Sequence, residues 1–133
     1  MIKLNKEEAL RTVIAFLKGH YNRTKSYDTG LIIDSLTHSN ASILFNNFME
    51  SLDKIHNEFI NENKVVNNVP LFTEEEVFEA MIGVLDKYYI KTNSDDIGVL
   101  LGGLLHAEYG DTADSAFFDD WQDVLNQEKT RQQ

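Results

Sequence analysis

The chain contains itself twice. Residues 4–38, moved along by 68 positions, fall without a gap on residues 72–106, and 11 of the 35 pairs are identical. The identities include Glu7/Glu75, Glu8/Glu76, Leu17/Leu85, Tyr21/Tyr89, Ser26/Ser94, Asp28/Asp96, Gly30/Gly98 and His38/His106. After a five-residue insertion the match resumes with Ser42/Ser115, Phe45/Phe118, Phe48/Trp121 and Leu52/Leu125. Such self-similarity constrains the fold before any local reading, because each copy must form the same unit and bury the same face. The copies, about 4–63 and 72–127, are joined by a linker at 64–71 that holds the only proline, Pro70. Each is too short for a comfortable core of its own, so one domain spanning 1–133 with pseudo-two-fold symmetry is expected.

Apolar periodicity identifies the unit. Leu10, Val13, Ile14, Leu17 and Tyr21 form a stripe of period 3.6, as do Phe78, Met81, Ile82, Leu85 and Tyr89. Asn5 can cap the first stripe, with Glu7 and Glu8 in the first turn. Thr73 and Glu76 have capping-box spacing ahead of the second. Ser26 and Ser94 then suit the N-caps of short second helices, and Asp28 and Asp96 fall in first turns, where carboxylates are stabilised. Gly30 and Gly98 suggest close approach of another helix. A third helix carries Phe45, Phe48, Leu52, Ile55 and Phe59 to about Asn63 in the first copy. In the second it carries Phe117, Phe118, Trp121, Val124 and Leu125, capped by Thr112 or Asp114 and ending near Gln127 before a frayed tail. No stretch shows sustained strand alternation. The expected fold is all-α: a six-helix bundle built from two tandem copies of a three-helix unit.

The copies differ most in charge. Residues 1–66 hold eight Lys/Arg and eight Asp/Glu, for a net of zero; residues 67–133 hold four and fourteen, for a net of −10. The protein's whole net charge therefore lies in its second half. A solvated acidic face is one reading, and a docking surface for a basic partner is the other. A net charge of −10 opposes binding to phosphate backbones, so no nucleic acid is expected as a partner. With no cysteine there is neither a disulfide framework nor a thiolate metal site. Met1 to Glu8 has no signal-peptide character, and the longest apolar run, Ile97 to Leu105, is too short for a membrane helix. The expectation is a cytoplasmic protein with no membrane contact and no cofactor.

Catalytic patterns are weak. The four histidines, His20, His38, His56 and His106, show no zinc-protease or related spacing, and EF-hand spacing is absent too. His38 and His106 occupy matching places at the ends of second helices, where a helix dipole favours a cation. His106 with Glu108 and Asp111 is the one metal arrangement the sequence offers, and such trios in polar loops arise readily by chance. Neighbouring carboxylates such as Asp95-Asp96 and Asp119-Asp120 diverge by about 100° on a helix and do not converge on one substrate. Asp119 and Asp123 form a mildly unfavourable like-charge pair, which suggests a use outside the helix. An enzyme is not expected. Trp121, matched to Phe48, reads as a core aromatic, or, if exposed among Asp119, Asp120 and Asp123, as an interface anchor.

Several segments carry a resemblance: Thr73-Glu74-Glu75-Glu76, Tyr88-Tyr89, Thr92 to Gly98, Leu100 to Leu104, Thr112-Ala113-Asp114 and Asp120-Trp121. Residues 72–125 resemble immunity proteins of contact-dependent growth inhibition and related polymorphic-toxin systems of bacteria. The first copy shows the pattern in altered form, with Tyr27, Thr29 and Phe48 in place of Asp95, Ile97 and Trp121. The resemblance implies a cytosolic protein whose partner is one cognate toxin C-terminal domain, neutralised by tight binding. Many such toxins are nucleases with basic grooves, which an acidic inhibitor suits. The expected contact residues are Asp95, Asp96, Glu108, Tyr109, Asp111, Asp114, Asp119, Asp120, Trp121 and Asp123. An acidic helical adaptor for a basic cellular protein is the alternative; a small metal-dependent enzyme using His106 is a third. The sequence leaves the oligomeric state open.

Overall fold

A computed structural model describes residues 3–38, 43–59, 71–108 and 115–132. The chain runs β1 (Lys3–Leu4), α1 (Lys6–Thr24), α2 (Tyr27–Thr37), α3 (Ile43–Phe59), β2 (Phe72–Thr73), α4 (Glu74–Thr92), α5 (Asp95–Glu108) and α6 (Ser115–Gln132). Among the described residues the fold is all-helical, a bundle of six helices. The linker 64–70 and the expected caps Thr112 and Asp114 lie outside the described residues, as does the continuation of the third helix to Asn63.

The helix starts follow the capping chemistry of the sequence. Asn5 accepts a 2.8 Å hydrogen bond from the Glu8 amide, and the Glu8 carboxylate accepts one of 2.9 Å from the Asn5 amide. Thr73 and Glu76 repeat this reciprocal arrangement at α4. Two donors that helix geometry leaves unpaired are satisfied at each end. Both long helices then stop the same way. Lys25 and Asn93 take left-handed backbone angles, φ 56° and 58°, and their amides donate to the Tyr21 and Tyr89 carbonyls at 2.7 Å. Ser26 and Ser94 restart the chain as N-caps, their hydroxyls accepting from the Thr29 and Ile97 amides.

Buried aromatic and aliphatic side chains form one core. Phe16, Leu17, Ile32, Phe48, Leu52, Phe72, Leu85 and Leu100 are among its fully enclosed members. Each such side chain contributes about 1.5–3 kcal/mol through removal from water. α1 packs on α2 and α6, α4 on α5 and α3, and α2 also meets α3 and α5. α5 packs on α6.

The structure departs from expectation in two places. Short strands do form: β1 and β2 pair antiparallel, with Leu4 opposite Phe72 and Lys3 opposite Thr73, a ladder too short to leave a pattern in sequence. The end expected to fray from Lys129 onward is helical to Gln132. Glu128 anchors it, 5% exposed and gripped by Arg11, while the Gln132 amide donates to the Lys3 carbonyl and the Glu8 carboxylate. Gly30 and Gly98 do admit a neighbouring helix, through the tyrosine rings of α1 and α4. A Cβ would lie 3.1 Å from Tyr21 at the first and 2.9 Å from Tyr89 at the second.

Candidate interaction surface

The N-termini of α2 and α5 meet, and two positive helix ends that abut should repel. Carboxylates resolve the conflict. The Ser26 hydroxyl, capping α2, donates to Asp96 in the first turn of α5 at 3.1 Å. The Ser94 hydroxyl, capping α5, donates to Asp28 in the first turn of α2 at 2.8 Å. Each carboxylate thus faces the dipole of its own helix and binds the cap of the other. The Tyr88 hydroxyl adds a 2.6 Å hydrogen bond to Asp28. The hydrogen bonds from Tyr88 and Ser94 hold the Asp28 carboxyl below its ordinary range. Burial, reinforced by the Asp28 charge, raises the Tyr88 phenol to about 12.

A second cluster lies where α1, α5 and α6 converge. His20 is 6% exposed, and its Nδ1 has no hydrogen-bond partner among the described residues. Burial lowers its basicity, and nearby Arg23 lowers it further, against the opposing pull of Asp120 and Asp96. Arg23 in turn binds Asp120 at 2.6 Å. His20 also lies 5.8 Å, centre to centre, from the Phe117 ring.

The expected contact residues divide accordingly. Asp95, Asp119 and Asp123 are exposed, with no ion pair among the described residues. Asp119 and Asp123 lie one turn apart on α6. Asp96 is exposed but accepts from Ser26, and Asp120 is committed to Arg23. Trp121 is not a surface anchor. It is 2% exposed and meets Phe16 and Phe78 edge-on at 5.9 and 5.3 Å, because its side of α6 packs inward while Asp119 and Asp123 face solvent. Glu108 ends α5 with its side chain outside the description; Tyr109, Asp111 and Asp114 lie wholly outside the described residues. So does the His106 side chain, and no group of three metal-binding side chains occurs among the described residues.

Sequence patterns also missed a groove between α3, α4 and α5, with a volume of about 480 Å³. Its apolar lining is Ile55, Ile82, Leu101 and Leu105, with Glu79, Asp86 and Lys54 at the charged margins. Gly83 opens it. A Cβ there would meet only the Ser51 hydroxyl, at an ordinary 3.5 Å, although glycine in a helix interior costs about 1 kcal/mol relative to alanine. A glycine inside an otherwise regular stripe is the signal that marks this place in sequence.

No described helix is long and apolar enough to cross a membrane. No protein-family model matches the chain, and neither the curated proteins nor the solved structures give a significant match.

Proposed function

We propose that this protein is an immunity protein that binds and neutralises a cognate toxin domain in the cytosol, acting as a binding protein rather than an enzyme. One observation carries the reading. Asp95, Asp119 and Asp123 stand exposed without ion pairs among the described residues, in the half that holds the entire net charge of −10. Surface carboxylates left unpaired suit electrostatic capture of a basic partner. The resemblance of residues 72–125 to toxin-immunity proteins selects the partner class.

Within this reading the body consists of two tandem copies of a three-helix unit. Leu4 and Phe72, 68 positions apart, face each other in the strand pair, and the Ser26–Asp96 and Ser94–Asp28 bonds are reciprocal. Exchanging α1 with α4, α2 with α5 and α3 with α6 turns the packing of α1 on α6 into that of α4 on α3. Each third helix thus covers the first helix of the other copy.

Calorimetry against the C-terminal domain of the toxin encoded beside this protein tests the function. Nanomolar binding that weakens with salt is expected, and the combined variant Asp95→Lys, Asp119→Lys, Asp123→Lys should weaken it by roughly two orders of magnitude. This set spares Asp120, which serves Arg23. Unchanged affinity in the variant places the interface elsewhere, and no binding by the wild-type chain leaves the acidic adaptor.

A further inference from the structure

The two halves differ most tellingly at the groove. In the first half Arg11 occupies the position matched to Glu79, 68 residues on, and its guanidinium is taken by Glu128 of α6. By the 73-residue offset that relates the third helices, the counterpart of Glu128 in α3 is Ile55. The α4–α3 crossing therefore has a carboxylate, Glu79, where the α1–α6 crossing has a guanidinium, and an isoleucine where that crossing has the answering carboxylate. Nothing among the described residues pairs with Glu79. Two turns along α4 the change recurs: Lys18 becomes Asp86, which is also unpaired among the described residues. Between them Ala15 becomes Gly83, and packing does not require the loss of that methyl. Where an ion pair lies at the α1–α6 crossing, the α4–α3 crossing has an open apolar trough edged by Glu79 and Asp86 of α4 and by Lys54 of α3.

We propose that this groove receives the toxin domain: an apolar segment of it settles on Ile55, Ile82 and Leu101, and flanking Arg or Lys side chains bind Glu79 and Asp86. The inference rests on the immunity reading and specifies where the partner docks. Glu79 and Asp86 are seven residues apart on one helix, so their carboxylates lie about 10 Å apart along its axis. Basic residues on the partner should match that separation. An incoming Arg at Glu79 would form the kind of bond that Arg11 and Glu128 make where α1 crosses α6. The apolar floor supplies desolvation, which strengthens such charge-assisted hydrogen bonds. Gly83 lets the segment approach the α4 backbone closely. Exposed Asp95, Asp119 and Asp123 add longer-range attraction.

Calorimetry of the full chain against the toxin domain decides the matter with three variants. The double variant Glu79→Lys, Asp86→Lys should weaken binding about 100-fold, and Gly83→Leu, which fills the trough, at least about tenfold. Asp34→Lys, on α2 outside the groove, should stay within about twofold. Circular dichroism and thermal melting establish that each variant is folded. The double variant alters only exposed side chains, so it remains informative if Gly83→Leu fails to fold. Wild-type binding with both groove variants within about twofold of it would overturn the groove assignment and leave the immunity reading standing. Absence of wild-type binding would overturn both.

Discussion

Arg11 holds the Glu128 carboxylate with two hydrogen bonds, from Nε at 2.9 Å and from a terminal guanidinium nitrogen at 2.6 Å, across 117 residues of sequence. The carboxylate is almost wholly buried, whereas the guanidinium keeps about a third of its surface in water. Hydrogen bonding to Glu128 raises the Arg11 pKa above its ordinary value, so the guanidinium stays charged. Replacing Arg11 with Ala strands a buried charge and should cost about 2–3 kcal/mol, below the full cost of a wholly buried pair because Arg11 is partly solvated. Urea denaturation measures it. A loss under about 0.5 kcal/mol would mean that Glu128 finds water when Arg11 is gone.

Two glycines should respond in opposite directions. Gly83→Ala is expected to stabilise the protein by about 0.5–1 kcal/mol, since the added methyl meets only Ser51 and the unfolded chain loses freedom. At Gly103 the Phe117 ring occupies the place of a Cβ, so Gly103→Ala should displace the ring and destabilise by about 1–3 kcal/mol. Thermal melting of the two variants should move to either side of the parent.

Lys25 has the left-handed geometry that Asn93 takes at the matching helix end. A lysine resists that conformation, while asparagine tolerates it. Lys25→Asn should therefore raise stability by up to about 1 kcal/mol, less whatever Lys25 gains from lying 5.6 Å over the Tyr21 ring. A melting temperature below the parent's would mean that the cation–ring contact outweighs the strain.

Stability should fall towards both acid and strong base, for separable reasons. His20 has a lowered pKa in the folded state, so its contribution is complete above the ordinary histidine value of 6.5 and declines as pH falls below it. Asp28, also lowered, contributes fully above 3.8 and loses its share as pH falls further. Tyr88 is raised, so its stabilisation is present below pH 10 and lost as pH climbs towards about 12. Denaturation midpoints across pH check each window. Tyr88→Phe should flatten the alkaline limb and lessen the loss below 3.8, because its hydroxyl is the main cause of the lowered Asp28 pKa, and leave the His20 decline between 6.5 and 3.8 unchanged.

The helices were legible because their signals are local. Asn5, Ser26, Thr73 and Ser94 announced their caps, and the matched stripes placed the inward faces of α1 and α4. The signals that failed are tertiary. Gln127 to Gln132 is polar and offers no stripe, and it is held in helix by Arg11, Lys3 and Glu8 from the far end of the chain. Asp120 looks no different in sequence from Asp119, yet one binds Arg23 and the other faces solvent. Trp121 sits among acidic neighbours and still turns into the core. The groove escaped notice because Glu79, Gly83 and Asp86 acquire meaning only when α3 and α5 are set beside them.

The crossed packing of α1 with α6 and α4 with α3 also bears on how the chain matures. Synthesis delivers α1 well before α6, so α1 emerges from the ribosome before the helix that covers it exists. Until then Arg11 has no Glu128, and the apolar flank destined for Phe117, Trp121 and Leu125 is open to mispairing or to chaperones. The α3–α4 crossing joins consecutive helices and can close once α4 is made, whereas the α1–α6 crossing waits for α6, so the most distant contact in sequence is the last that synthesis permits.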